Sequence, residues 1–166
     1  MVLHYHHALE RHLAFMSTLP PVPCRDDLAN FAQTHFNQTG RACEVGVYQG
    51  LSSERFLQSW RGEYFAIDAW DWRPQDAKSH AGMDKNYKNP ATNQANYDKA
   101  RERLAMHNES GRVRQIKGLS INVAHTLPDN HFDWIFIDAL HTRDGMLADM
   151  RAYWPKLREG GARANS

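Results

Sequence analysis

Apolar positions along the chain change their period several times, and each change marks an element. Tyr5, Leu9, Leu13 and Met16 recur at helical spacing, which predicts a helix over residues 3–16. The run Leu19-Pro-Pro-Val-Pro23 stops it, because proline lacks an amide donor and clashes inside a helix. Residues 1–23 therefore read as an N-terminal helical arm with a Pro-rich hinge, and residues 24–166 as the main domain. Asp26 and Asp27 sit where carboxylates favour a helix start. Leu28, Phe31, Ala32 and His35 follow at helical spacing, and Gly40 closes the segment.

The pattern then alternates between short apolar runs and helical periods. Residues 41–47 read as a buried strand. Ser52 is placed to cap a helix whose inner face holds Phe56, Leu57 and Trp60, and residues 64–68 form the second strand. Strand, glycine turn, helix and strand within about 30 residues have the size of a βαβ unit. A polar stretch over 69–90 carries Trp70, Trp72 and Tyr87. Beyond it the pattern predicts a helix over 95–107, a strand over 112–117, a short helix over 119–126 and a turn at Pro128-Asp-Asn130. Residues 132–138 form a fourth strand, and its Trp-Ile-Phe-Ile centre predicts burial on both faces. Met146, Met150 and Tyr153 share one face of a last helix over 143–154. This alternation predicts an α/β fold with a parallel sheet.

Composition narrows the class. Hydrophobic residues make up 42% and charged residues 23% of 166, which suits one soluble globular domain. The formal net charge of +1 offers no strong field, so neither nucleic acid nor an anionic membrane is expected as a partner. Cys24 and Cys43 lie in different segments without CxxC spacing, so no disulfide framework or zinc site is expected, and free thiols suit the cytoplasm. No long apolar run predicts a membrane span, and the first residues lack the pattern of a secretory signal. His4, His6 and His7 read as a solvated helix face rather than a metal site.

Three places carry candidate chemistry. Glu44-Val-Gly46-Val-Tyr48-Gln49-Gly50-Leu-Ser52 follows the first strand, at the sheet end where open α/β folds bind ligands. Glycine there lets the backbone approach a ligand, and Glu44 adds a carboxylate for a cationic amine; the alternative is an ordinary strand-to-helix turn. The spacing is not G-x-G-x-x-G, which argues against a dinucleotide site. Asp68 ends the second strand, where a carboxylate either accepts ribose hydroxyls or caps a helix. Asp138 ends the fourth strand and offers an oxygen ligand to Mg²⁺ or a similar cation. His141 stands beyond it as a candidate general base. Alternatively, Asp138 caps the next helix and His141 bonds locally.

Together these segments resemble the class I S-adenosylmethionine-dependent methyltransferases. Residues 44–53 are similar to the family's first motif, in the variant with tyrosine at the middle glycine that marks a small-molecule O-methyltransferase subgroup. Ala66-Ile-Asp68-Ala69-Trp70 resembles its ribose-binding segment, and Lys117-Gly-Leu-Ser120 its adenine-flanking turn. Phe136-Ile-Asp138-Ala-Leu-His141, with Asp149 through Gly161, resembles its metal-associated strand, helix and closing turn. The resemblance spans residues 25–161. It implies a Rossmann-like parallel sheet of order 3-2-1-4 flanked by helices. It also implies S-adenosylmethionine as cofactor, Mg²⁺ as a candidate second cofactor and a small-molecule acceptor. Glu44, Gly46, Tyr48, Gln49, Gly50 and Ser52 would hold the methionine end. Asp68 and Ala69 would meet the ribose, and Ser120 the adenine. Asp138 would touch the cofactor and bind metal or face substrate, with His141 as its catalytic neighbour. The reaction implied is methyl transfer from a sulfonium to an oxygen, helped by positioning and by a metal that acidifies the hydroxyl. Residues 69–90 would serve as a lid; the alternative is a surface insertion with its aromatics tucked into the core. A cofactor-binding module without turnover is the alternative.

The chain departs from this family at its end. Members continue past the Leu-Arg-Glu-Gly-Gly turn with a fifth strand, whereas Ala162-Arg-Ala-Asn-Ser166 reads as neither apolar nor strand-like. The expectation is a C-terminally truncated, four-stranded core lacking the last strands. Its fourth strand is then an open edge that invites aggregation or a homodimer.

Overall fold

The computed structural model describes residues 27–36, 40–71, 90–139 and 142–165. The expected arm over 1–23, Cys24, His141 and most of the 69–90 segment lie outside the described residues. Among those described, no helix is long and apolar enough to cross a membrane.

Five parallel strands form one sheet of order β3-β2-β1-β4-β5. They are β1 (Arg41–Val45), β2 (Glu63–Asp68), β3 (Val113–Lys117), β4 (Phe132–Ile137) and β5 (Leu157–Asn165). The helices are α1 (Leu28–Phe36), α2 (Leu51–Ser59), α3 (Pro90–Ala105), α4 (Ser120–Ala124) and α5 (Arg143–Tyr153). The chain order reverses between β1 and β4, so their carboxyl ends flank the switch point where such sheets open a crevice.

Period-two alternation sorts the core into two layers. Ala42, Tyr64, Ala66 and Trp134 face α1, α2 and α3, with Leu57, Trp60 and Leu104 packed on them. Cys43, Val45, Phe65, Ile67, Ile135 and Ile137 face the other way, against Val123, Leu127 and Tyr153. All six residues of β4 are buried, as its continuous apolar run requires.

The predicted order 3-2-1-4 holds, but the four-stranded core is corrected. Residues 157–165 form a fifth parallel strand, with Trp134 opposite Ala162 and Ile137 opposite Asn165. A register shift between Phe132 and Trp134 takes up the extra residues of the Gly-Gly segment. Strand propensity is weak and context-dependent, and any residue but proline can supply ladder hydrogen bonds, so the open side of β4 suffices as a template. The edge on which the homodimer expectation rested is therefore occupied by the chain itself. A chain ending at Lys156 is expected to lose this ladder and to elute as aggregate in size-exclusion chromatography, whereas a monodisperse peak would show that β4 tolerates an open edge.

Two helix starts also differ from expectation. Gly50, in a left-handed conformation, precedes α2 at the N-cap position, so Ser52 lies inside the first turn rather than capping it. Helix α3 starts at Pro90 rather than at residue 95, because proline is pre-shaped for a first turn. Its buried face is Asn93, Asn96, Ala100 and Leu104, half of it polar, which hid the helical period.

Candidate functional site

The chain leaves β1 through a turn with three positive-φ residues, Gly46 (95°), Tyr48 (53°) and Gly50 (77°). Gly46 holds the centre of the rim. Its amide donates to Ile67 O at 2.8 Å, while the amide of Asp138 donates to Val45 O at 2.8 Å. A Cβ on Gly46 would overlap the carbonyl oxygen of Asp138 and lie 2.6 Å from Ala139 Cα. Close approach of two strand ends, as well as the φ angle, therefore demands glycine.

Asp68 fastens this turn to β2. Its Oδ2 accepts the amides of Val47 (2.9 Å) and Tyr48 (2.8 Å), and its Oδ1 accepts the amide of Trp70 (2.9 Å). Three backbone amides converging on one carboxyl group fix the turn's conformation. Gly118, after β3, donates to Asp68 O at 2.9 Å and brings the third strand's end to the same place.

Helix α3 clamps the turn from outside. Arg103 donates to Gln49 O at 2.6 Å and pairs with Glu54 at 3.4 Å. Gln49 Nε2 donates to Asn96 Oδ1 at 2.9 Å and to the Tyr48 hydroxyl at 3.2 Å. The Trp70 indole donates to Tyr48 O at 2.7 Å and meets Tyr97 edge-on, with ring centroids 5.1 Å apart. Ala100 lies beneath Gly50, where a Cβ would stand 3.1 Å from its Cα. Sequence reasoning missed Asn93, Asn96 and Arg103. The signal available was inward-facing asparagine at the spacing of Ala100 and Leu104.

Glu44 is placed differently from its expected role. Its side chain is fully buried, and Ser53 and Tyr64 both donate to its Oε2, the latter at 2.5 Å. It lines a small crevice with Leu28, Phe56, Tyr64 and Phe136, between the sheet and the α1–α2 layer. Burial pushes its carboxyl up to about 7; the two hydroxyls draw it back, and the charges of Asp138 and Asp68 raise it further. The charges of Asp68 and Asp138 thus reach this region, while Glu44 itself holds its proton up to about pH 7.

The other expected residues fall as follows. Asp138 and Ala69 are half-buried at the rim, and Ser52 is half-buried in α2. Ser120 opens α4, donates from Oγ to Asp149 Oδ1 at 2.5 Å, and has its carbonyl bound by the Tyr153 hydroxyl at 3.0 Å. Asp149, held above the usual carboxylate range by burial, was not foreseen. Leu119 and Ile121, beside Ser120, are 56% and 42% exposed and give that flank an apolar surface. Among the described residues, no three His, Cys, Asp or Glu side chains form a metal-ligand cluster, which leaves Asp138 as a single carboxylate of the kind Mg²⁺ takes together with water and substrate oxygens. His141 lies outside those residues.

Comparison with known proteins fits this geometry. A family model described as a methyltransferase domain matches residues 43–163. No curated protein matches the chain significantly. Among solved structures, one is provisionally assigned as a caffeoyl-CoA O-methyltransferase from Staphylococcus aureus. It aligns at 22% identity and a TM-score of 0.59, over 99% of this chain and 69% of that one. An S-adenosyl-L-methionine-dependent methyltransferase of Methanococcus maripaludis, also a provisional assignment, aligns at 16% identity and 0.59, over 86% of this chain and 54% of that one. The SAH-bound methyltransferase PaMTH1 of Podospora anserina aligns at 18% identity and 0.59, over 96% and 61%. At these identities the structures speak for the fold, and the chain spans about half to two thirds of their length. With a family model covering most of its residues and the matching sheet, the chain belongs to the methyltransferase-domain family.

Proposed function

We propose that this chain binds S-adenosylmethionine at the carboxyl rim of β1, β2 and β4 and serves methyl transfer to a hydroxyl of a small molecule. The observation that carries the reading is the glycine turn 46–50, pinned by Asp68 against the switch point. The residues present fit a nucleoside sulfonium. The charges of Asp68 and Asp138 favour it, Leu119 and Ile121 offer apolar surface to a base, and the buried Asn93 carboxamide has no partner on either end. The neighbours described as O-methyltransferase and SAH-bound methyltransferase support the same direction.

When bound, the cofactor supplies an already activated methyl group. The chain's own contribution is position. The 46–50 backbone would hold the methionine end, Asp68 and Ala69 the ribose edge, and Ser120 the adenine flank. Asp138 would present an oxygen to Mg²⁺ or to the acceptor hydroxyl, and His141 would take up the hydroxyl proton. The activity, acceptor and metal requirement belong to this proposal.

Calorimetric titration with S-adenosylhomocysteine, followed by transfer assays on phenol and sugar panels with and without Mg²⁺, tests it. Saturable binding and Mg²⁺-dependent transfer are expected. Binding without transfer to any acceptor would leave a cofactor-binding module and remove the enzymatic reading.

A further inference from the structure

Asn93 stands in the first turn of α3, 2% exposed, with neither Oδ1 nor Nδ2 hydrogen-bonded. Buried polar groups are nearly always paired, so an orphaned carboxamide asks for a partner that arrives later. Its place says where that partner sits. Helix α3 joins parallel strands β2 and β3, so it runs against them and its first turn lies at their carboxyl ends. Lys117, the last residue of β3, reaches over the Tyr97 ring at 5.4 Å, which fixes that end of the helix at the rim. Along the buried face, Ala100 meets Gly50 and Asn96 meets Gln49; Asn93 is one turn closer to the rim.

Asp68 creates the need for a second group. A carboxylate offers about four lone-pair sites. At least three are occupied, by the amides of Val47, Tyr48 and Trp70. A ribose presents two vicinal hydroxyls, and Asp68 can accept no more than one without releasing the turn. The other hydroxyl requires a neutral group able to accept or donate, because a further charge would add to the carboxylates already there. We infer that the Asn93 carboxamide binds a ribose hydroxyl of the nucleoside cofactor, sharing the sugar with Asp68. This rests on the proposed reading of the rim as a nucleoside sulfonium site.

The test is calorimetric titration of the full chain with S-adenosylhomocysteine and its 2′-deoxy and 3′-deoxy analogues, on wild type and Asn93→Leu. For wild type, removing the hydroxyl that meets Asn93 is expected to weaken binding about tenfold, the scale of one hydrogen bond. Asn93→Leu is expected to bind S-adenosylhomocysteine about tenfold more weakly and to be indifferent to loss of that hydroxyl, a coupling that a merely structural role would not produce. Its melting temperature is expected to equal or exceed wild type, since an apolar near-isostere removes the orphaned group; if it does not fold, Asn93→Ala carries the same cycle. Unchanged affinity, or weaker affinity with the same response to both deoxy analogues as wild type, overturns the assignment of Asn93 while leaving the site intact. Absence of S-adenosylhomocysteine binding by wild type would sink the site and this inference with it.

Discussion

Gly46→Ala is expected to destabilise the chain by roughly 2–6 kcal/mol and to abolish cofactor binding. Two costs combine. The backbone at φ 95° lies where an L side chain is strained, at about 1–3 kcal/mol. The added methyl would also meet the Asp138 carbonyl and the Ala139 Cα, both backbone atoms that cannot rotate aside. Parting the ends of β1 and β4 resembles overpacking a core, at about 1–3 kcal/mol more. Whole domains are stable by only about 5–15 kcal/mol, so a large share of the margin is at stake. Gly111 supplies the control: it too has positive φ, at 70°, but nothing lies within 4 Å of its would-be Cβ. Gly111→Ala should cost only the backbone strain. Urea denaturation of both variants checks the contrast; equal losses at the two positions would mean that the β1–β4 approach is not what constrains Gly46.

The second large effect is a pH dependence centred on Glu44. Folded, this carboxyl keeps its proton to about pH 7, against an ordinary value of 4.5. Between those values the unfolded chain ionises first and binds fewer protons, so stability falls as pH rises. The stabilisation is complete below pH 4.5 and gone above about 7, and its size is roughly 3 kcal/mol at 1.36 kcal/mol per unit. In Glu44→Gln, the neutral carboxamide mimics the protonated form and keeps an oxygen for Ser53 and Tyr64. The variant should therefore gain on wild type by about that amount between pH 4.5 and 8, read as urea midpoints. Parallel stability curves for the two proteins would place the Glu44 carboxyl in a far more polar setting than its burial describes.

The parts legible in the sequence were those written in periods and in strand ends. The buried runs of β1, β2 and β4 announced themselves in the apolar pattern, while the inner sheet order followed from the family resemblance. Strand β5 was not legible, because Arg-Glu-Gly-Gly-Ala-Arg-Ala-Asn carries no strand pattern; its conformation comes from the ladder offered by β4. At the site, the positions of Asp68 and Asp138 after strands could be read, but not what their neighbours do with them. Asp68 turns to three backbone amides, and no side-chain pattern encodes that. Glu44 turns to Ser53 and Tyr64, nine and twenty residues away, a pairing that exists only once α2 and β2 are packed. The clamp from α3 escaped for a similar reason, since inward asparagines look like surface residues until Gln49 lies against them.

Amide chemical-shift mapping during titration with S-adenosylhomocysteine tests the location of the site most directly. The largest changes should fall on Gly46, Val47, Tyr48, Asp68, Gly118 and Asp138, which the backbone hydrogen bonds gather at one rim. Changes centred instead on Arg41, Glu63 and Asp133, at the opposite ends of the same strands, would contradict the account.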